Sequence, residues 1–574
     1  MSENDSRRLL DIALVPVGRY AKSLRDEQTF SVTWELVPGR GAFEKTQEAA
    51  VAAAEQAAKS GKVHALAITD NPGGGSALSA EMLGAEIAKL GLEPLVHLTC
   101  KDKNRSQLES LLYGLERASV RNLLVLTGDY PKPGYMGGPK PVFDLDSTML
   151  LGLIGELNKG MEVPTLKGTT KLKPTHFFPG AAASPFKSLE SEQMGQYHKL
   201  GKKLAAGAQF IVCQLGYDAR KFQEMLFVVK LLGFEHIPVV GNIYLLPLVA
   251  AKLMHSNGLP GCVVTDKLLA EIQQHSVVPD QGKTLERAAK MYALLKGLGF
   301  AGAHISGNGM TYDDLEYVVG KGEELAHNWM NLVREFDFPQ PNGWYFFEKD
   351  AKTGLNQEVL VDRSKDRPRA TIGYKAFRAL HRVMFDQHSV FFKPMRTLAA
   401  AVDGSFVERG FTRLEHIVKQ ITNECGHCGD CALADLAYLC PSSQCAKNQR
   451  NGPCGGSFEG WCEKYPNERK CVYVRAYERL KSHNAEDSLG AFQVPPVNYD
   501  LYQTSSWVNY FLGRDHSARL LGISPVPFKT KPQQETAARE TAENSSGASS
   551  ARRPRRTLAH TMRTARRIFL QFLS

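Results

Sequence analysis

Three polar residues that follow short apolar runs have the chemistry of a site for a nitrogen heterocycle. Glu35 comes directly after Trp34, and shielding by the indole would raise the pKa of the carboxyl and suit it to general acid catalysis. Asp129 and Gln214 follow two later runs, and their carboxylate and amide groups can pair with the polar edge of a heterocycle. This region has no Ser-His-Asp pattern and no H-E-x-x-H zinc motif. It therefore disfavours hydrolysis and favours a bound organic cofactor.

Other polar residues stand at the ends of similar runs. They are Thr69, Asp70, His97, Thr127, Gly128 and His304. Each of them alone is more often a turn residue, a surface charge or a hydrogen-bonded core side chain. As a group they are stronger evidence for a shared site, because each of them lies at the end of an apolar run.

Eight of the eleven cysteines are clustered in the second half of the chain, at Cys425, Cys428, Cys431, Cys440, Cys445, Cys454, Cys462 and Cys471. The C-x₂-C-x₂-C spacing followed by a Cys-Pro suits an iron–sulfur cluster, whereas zinc more typically uses C-x₂-C pairs. Eight thiolates would suffice for two four-cysteine sites of either kind. The spacing therefore predicts metal binding by all eight cysteines and leaves the metal and the pairing open.

The elements that must position these residues follow a repeating pattern. Eight short strands are predicted at 31–35, 63–69, 93–98, 122–127, 175–178, 210–214, 237–241 and 302–305, with amphipathic helical segments between most of them. This alternation favours a (β/α)₈ TIM barrel over residues 28–310, with an open doubly wound sheet as the alternative. The active sites of such barrels lie at the carboxyl ends of the strands, where the polar residues above are found.

The remaining boundaries follow from changes in composition. Residues 1–27 form an N-terminal extension, 311–413 a connector packing on the barrel with one helix over 376–401, and 414–485 a cysteine-rich metal-binding or iron–sulfur domain. Residues 486–529 form a C-terminal extension, and 530–574 form a disordered tail rich in arginine. Within the tail, 557–573 could instead form an amphipathic helix.

Charge and hydropathy exclude several classes of protein. Seven arginines and no acidic residue lie between 551 and 574, so the tail supplies +7 of the net charge of +10. The rest of the chain is nearly neutral and gives no sign of nucleic-acid binding. The N-terminus lacks the apolar core of a signal peptide, and the longest apolar run, 243–254, is too short to span a bilayer. We therefore expect a cytoplasmic protein whose cysteines are not paired in disulfides.

Several of these strand ends resemble, in order and spacing, one enzyme family. The segments are FSVTWELVP at 30–38, AITDN at 67–71, VHLTC at 96–100, LVLTGDYP at 124–131 and AAGAQFIVCQ at 205–214. They are similar to the methylenetetrahydrofolate reductase family. The resemblance implies a flavin-dependent barrel of one-carbon and methionine metabolism that reduces 5,10-methylenetetrahydrofolate to 5-methyltetrahydrofolate by ping-pong hydride transfer.

The resemblance also implies roles for single residues. Glu35 would be the general acid that opens the five-membered ring of the folate, Asp129 would lie between pterin and flavin, and Gln214 would bind the pterin. The implied flavin contacts are Thr69, His97, Thr127, Gly128, Asp129, Phe178 and Lys203, the last at a phosphate. The implied cofactor is FAD, but the residues after strand five depart from the family's pattern, which leaves FMN open. NADH, NADPH and a protein remain alternative electron donors.

The segment 451–456, NGPCGG, resembles part of a cysteine-rich C-terminal domain found in some of these reductases or in their partner subunits, where iron–sulfur or zinc binding occurs. A structural and an electron-transfer role for the metal both stay open, and so does assembly into a homo-oligomer. Two alternatives to the folate reductase remain. One is a flavin and iron–sulfur oxidoreductase whose substrate is not folate, and the other is a scaffold that has lost catalysis.

Overall fold

The computed structural model describes residues 18–166, 168–275, 281–518 and 522–529. The chain divides into two compact units. The barrel unit comprises Met1–Arg363 and Asn451–Cys471, and the second unit comprises Ser364–Arg450 and Val472–Ser574. The stretch predicted as one cysteine-rich domain over 414–485 is thus divided between the two units. The tail predicted over 530–574, with its alternative helix at 557–573, lies outside the described residues, as does most of the N-terminal extension.

The barrel unit contains a closed barrel of eight parallel strands, which confirms the predicted (β/α)₈ fold. The barrel strands are β1 (Ser31–Leu36), β2 (Ala65–Ile68), β3 (Pro94–Thr99), β4 (Asn122–Leu126), β7 (Phe178–Ala183), β8 (Phe210–Cys213), β9 (Val239–Tyr244) and β10 (Gly302–Ser306). They are hydrogen-bonded in the order β1-β10-β9-β8-β7-β4-β3-β2. Three hairpins lie outside the barrel: β5 (Glu162–Thr165) with β6 (Gly168–Lys171), β11 (Phe347–Lys349) with β12 (Asn356–Leu360), and β13 (Trp461–Cys462) with β14 (Tyr465–Lys470).

The helices of this unit surround the barrel or close its ends. They are α1 (Arg19–Arg25), α2 (Lys45–Ser60), α3 (Ala80–Lys89), α4 (Arg105–Arg117), α5 (Ser147–Lys159), α6 (Glu190–Ala205), α7 (Ala219–Leu231), α8 (Leu248–His255), α9 (Asp266–His275), α10 (Gln281–Leu298), α11 (Tyr312–Leu325) and α12 (Trp329–Leu332). Helix α2, for example, buries one face through Ala50, Ala54 and Ala57. This is the spacing of an amphipathic helix that packs on a sheet.

The amino-terminal end of the barrel is filled by apolar side chains. Tyr20 and Leu24 of α1 pack there against Phe178, Phe210 and neighbouring aliphatic residues. The rings of Phe178 and Phe210 are stacked with their centroids 5.1 Å apart. Because this end is sealed, the polar residues at the opposite ends of the strands face the open mouth of the barrel.

The fifth barrel strand does not lie where the sequence predicted it. The expected strand covered 175–178, but β7 begins at Phe178 and continues to Ala183. Its sequence, FPGAAA, lacks the β-branched residues that mark a strand, because the barrel requires small residues here. A Cβ atom on Gly180 would lie 2.2 Å from the ring of Phe210.

The second unit is mainly helical. Its helices are α13 (Ile372–Met384), α14 (Phe392–Val402), α15 (Glu408–Asn423), α16 (Pro441–Gln444), α17 (Val472–Lys481) and α18 (Ser506–Phe511). The prediction of a single helix over 376–401 is wrong, since a turn separates α13 from α14. In that turn the Asp386 carboxylate accepts a hydrogen bond from the backbone N–H of His388 at 2.9 Å, an alternative to helical bonding that short polar side chains favour. Among the described residues, no helix is both long and apolar enough to cross a membrane.

Because Phe178 packs in the sealed end of the barrel, truncating its side chain should destabilise the protein without directly affecting the mouth. We expect Phe178→Ala to lower the free energy of unfolding by about 3–5 kcal/mol, the usual cost of truncating a buried aromatic side chain. Urea unfolding followed by circular dichroism measures this. Phe43→Ala is the control because Phe43 is 88% exposed. Equal effects of the two substitutions would contradict the packing described here.

Candidate active site

The pairing of the first and last barrel strands brings three polar side chains into contact. Parallel register places Thr33 of β1 opposite His304 of β10. The His304 ring is 3.0 Å through Nδ1 from the Thr33 hydroxyl and 3.1 Å through Nε2 from a carboxylate oxygen of Glu35. His97 of β3 completes the group, since one polar atom each of Glu35, His97 and His304 lie within 4.8 Å of one another. The sequence placed His304 at a strand end but gave it no role.

The pKa of Glu35 is shifted opposite to the sequence-based expectation. Burial alone would raise the pKa of this carboxyl, but the hydrogen bond from His304 and the charges of His304 and His97 outweigh burial and lower it. The pKa of His97 is lowered to about 4, chiefly by burial. Glu35 is therefore a carboxylate bonded to an imidazole, and a proton delivered from here would be shared by the pair.

Two of the predicted flavin contacts have buried polar atoms without a partner. Thr69 Oγ1 and His97 Nε2 are buried and make no hydrogen bond. Such atoms are uncommon unless a ligand or water satisfies them. Gly128, after β4, has a φ of +87°, and a Cβ atom there would lie 2.9 Å from Thr99. This glycine lets the backbone pass close to the end of β3. Thr127, beside it, is buried.

Phe178 does not belong to this group. It is the first residue of β7 and packs in the sealed end of the barrel with Tyr20 and Phe210. Its predicted contact with a flavin was wrong. The error came from treating Phe178 as the last residue of its strand, where it is the first.

Asp129 and Gln214 lie at the mouth on different strands. The Asp129 carboxylate accepts a hydrogen bond from the backbone N–H of Gly73 at 2.8 Å, which ties the glycine-rich loop after β2 to the loop after β4. The pKa of the Cys262 thiol is raised to about 12 by burial and then by the charge of Asp129, with a smaller effect of Glu35 and an opposing one of Lys187. The Cys262 thiol therefore lies within electrostatic range of both carboxylates and of Lys187. Gln214, directly after β8, lies next to Gly261.

A group of buried lysines lies at the end of β7. The Lys203 ammonium donates to the carbonyl of Ala182 at 2.5 Å. Burial, reinforced by the charge of Lys199, lowers the pKa of Lys203 to about 7, although Asp146 and Cys100 oppose the shift. Lys187, Lys199 and Lys202 are also buried. Sequence reasoning singled out only Lys203; the four-residue spacing of Lys199 and Lys203 on α6 was the available signal.

Four of the eight clustered cysteines surround one cavity in the second unit. Cys425, Cys428, Cys431 and Cys440 line a pocket that Lys419 and His427 also border. Burial raises the pKa of Cys425 to about 11 and that of Cys428 to about 12. The Lys419 ammonium lies 3.5 Å from the sulfur of Cys431. Of the other four, Cys445 belongs to the same unit, and Cys454, Cys462 and Cys471 belong to the barrel unit.

The Glu35–His304 contact makes a direct prediction about protonation. We expect His304→Gln to raise the pKa of Glu35, because burial is then opposed by one charge fewer and by a weaker hydrogen bond. The wild-type carboxylate should consequently stay ionised to lower pH than that of the variant. A ¹³C NMR titration of labelled glutamate, assigned with Glu35→Gln, measures the shift, and His255→Gln is the control. An unchanged or lowered pKa in the His304 variant would contradict the assigned cause.

Two family models match the chain. Residues 19–293 match the family described as methylenetetrahydrofolate reductase, and residues 405–500 match the family described as methylene-tetrahydrofolate reductase C terminal. Methylenetetrahydrofolate reductase 2 of Saccharomyces cerevisiae (strain ATCC 204508 / S288c) is 27% identical over 191 residues. That alignment covers 32% of this chain and 29% of the yeast protein, so the chain spans less than a third of this relative.

Two solved structures were also compared with this chain. A Clostridium thermocellum protein that binds two copies of 5-methyl-5,6,7,8-tetrahydrofolic acid has 10% identity and a TM-score of 0.37, over 54% of this chain and 98% of its own. Yersinia pestis DHPS with a pterine-sulfa conjugate has 10% identity and a TM-score of 0.31, over 52% and 95%. TM-scores this low carry no argument about the fold or the function of this chain.

The two family models agree with each other. Residues 19–293 match methylenetetrahydrofolate reductase, and residues 405–500, which hold the eight clustered cysteines, match the C-terminal region of such reductases.

Proposed function

We propose that this chain is a flavin-dependent reductase that converts 5,10-methylenetetrahydrofolate to 5-methyltetrahydrofolate. The observation that carries the proposal is the Glu35–His304 pair at the mouth of the barrel. The reductase family model matches residues 19–293, which include Glu35 and seven of the eight barrel strands. Ring opening of the folate requires a proton at the nitrogen that leaves the bridging carbon, and a proton held between the Glu35 carboxylate and the His304 imidazole would be a suitable source. A scaffold without catalysis has no need of such a pair at an open mouth.

The other residues at the mouth have roles that follow from their charge and position. Asp129 would hold its negative charge next to the cationic iminium carbon and lower the free energy of that intermediate. Gln214 would bind the polar edge of the pterin through its amide. Thr33, through the Nδ1 atom of His304, fixes the ring so that Nε2 faces Glu35.

The described residues fit a flavin at this mouth. Thr69 Oγ1 and His97 Nε2 would gain the hydrogen-bond partners that they lack. Burial lowers the pKa of Lys203 to about 7, and a phosphate beside it would raise that pKa again and be bound by the resulting ammonium. When bound, the flavin would supply hydride transfer between an electron donor and the folate, and use of one face by both would give the ping-pong kinetics that we propose. NADH, NADPH or a protein would be the donor.

We further propose that Cys425, Cys428, Cys431 and Cys440 hold an iron–sulfur cluster. The C-x₂-C-x₂-C spacing of the first three, with Cys440 followed by Pro441, is the pattern that supports a cluster over zinc. All four cysteines line one pocket. The buried ammonium of Lys419 would offset the negative charge of the thiolates.

Glu35→Gln tests the proposed folate chemistry. We expect the variant to lose about 10²-fold or more of its methyltetrahydrofolate oxidation, the usual range for a general acid, while reduction of the flavin by the donor survives. Anaerobic assays with an artificial acceptor and stopped-flow flavin spectra measure the two steps. Glu81→Gln, in the first turn of α3, serves as the matched control. Retention of folate oxidation, or equal loss of both steps, would contradict the role proposed for Glu35. A wild-type protein that reduces its flavin but oxidises no methyltetrahydrofolate would favour an oxidoreductase whose substrate is not folate.

Cys428→Ser tests the proposed cluster. We expect this variant, purified without oxygen, to lose most of its iron and its broad visible absorbance, because one of four thiolates is removed. Cys213→Ala is the control, since Cys213 is buried in β8. Metal analysis that finds zinc without iron in the wild-type protein would contradict the proposed cluster.

A further inference from the structure

A segment of the C-terminal half of the chain lies on the mouth of the barrel. Residues 451–457, here called the strap, belong to the barrel unit, although more than 140 positions separate them from its last barrel strand in sequence. The backbone N–H and the side-chain amide of Asn451 both donate to the Asp146 carboxylate, at 2.9 and 3.0 Å. Asp146 also caps α5 through its other oxygen. The strap therefore begins at a fully buried carboxylate.

Two buried lysines hold the rest of the strap through its carbonyl groups. The Lys199 ammonium donates to the carbonyls of Gly452 and Pro453 at 3.2 and 3.1 Å. The Lys187 ammonium donates to the carbonyls of Gly455 and Ser457, both at 2.5 Å. Hydrogen bonds from a charged donor are among the stronger ones in proteins, and burying an ammonium without such partners is costly. The strap is thus fixed at both ends by charge-assisted bonds.

Glycines permit the close approach of the strap. Gly452 has a φ of +139°, and a Cβ atom there would lie 2.6 Å from Lys199 Cβ. A Cβ atom on Gly195 of α6 would lie 3.2 Å from Pro453. A side chain at Gly452 would push the strap away from α6.

The strap reaches the groups proposed to bind folate. A Cβ atom on Gly261 would lie 3.0 Å from the Gly455 carbonyl oxygen and 3.6 Å from the side-chain nitrogen of Gln214. Gln196, also close to Gly455, is buried and its side-chain nitrogen has no hydrogen-bond partner. A ligand at the mouth would therefore meet the strap as well as the strand ends.

We propose that the strap is a wall of the folate site and that folate binding and strap docking stabilise each other. This inference rests on the proposed function. If the docked strap contributes to the free energy of folate binding, linkage requires that folate stabilise the docked strap by the same amount. The barrel strands alone would then form an incomplete site, completed by a segment from the region that resembles the C-terminal part of these reductases.

The test uses the full chain, loaded with flavin and purified without oxygen. Binding of 5-methyltetrahydrofolate is measured by calorimetry for wild type, Lys187→Met, Gly452→Ala and the control Lys221→Met. Lys221 is equally buried but bonds Glu224 and Trp344. Lys187→Met and Gly452→Ala should weaken binding about tenfold or more, the scale of one lost charge-assisted bond, while Lys221→Met stays close to wild type. Hydrogen exchange of the wild-type strap should slow when folate is added.

The outcomes separate the inference from the function on which it rests. Wild-type affinity in both strap variants, or exchange of the strap that ignores folate, would overturn the inference alone. Tighter binding in the variants would also overturn it and would make the strap a competitor of folate. A wild-type protein that binds no folate would contradict the proposed function and the inference with it.

Discussion

Strand β1 is hydrogen-bonded in parallel register to β10, and this seam closes the barrel. The register sets Thr33 opposite His304, and the imidazole then spans to Glu35 two residues further along β1. A shift of one residue would turn these side chains to the outside of the barrel. The apolar packing of Tyr20, Phe178 and Phe210 at the other end supports the seam by sealing the barrel there. The chemistry at the mouth depends on this closure.

Buried charge is the second constraint on the mouth. Lys187, Lys199 and Lys203 are all buried near the end of β7, and each ammonium donates to backbone carbonyls. Carbonyl groups solvate a buried cation in place of water, which offsets part of the cost of burying it. The strap supplies four of these carbonyls. Its docking and the electrostatics of the mouth are therefore parts of one arrangement.

The sequence predicted the barrel because a strand–helix repeat is a local pattern. It misplaced the fifth strand because the tight fit of Gly180 against Phe210 demands small residues that do not look like a strand. It assigned the wrong direction to the pKa of Glu35 because the decisive partner, His304, is 269 positions away. The docking of the strap was not predicted for a similar reason, since its carbonyls lie about as far from Lys187 in sequence. Local patterns predict elements, whereas register and long-range contacts determine the site.

A crystal structure of the flavin-loaded full chain with 5-methyltetrahydrofolate would show where folate binds. We expect the pterin at the barrel mouth, with its ring within hydrogen-bond distance of Gln214, its methyl-bearing nitrogen facing Asp129, and the Glu35–His304 pair beside it. The strap should border the ligand through Gly455. A folate bound elsewhere, or a mouth where Glu35 and His304 are apart and neither approaches the pterin, would contradict the account.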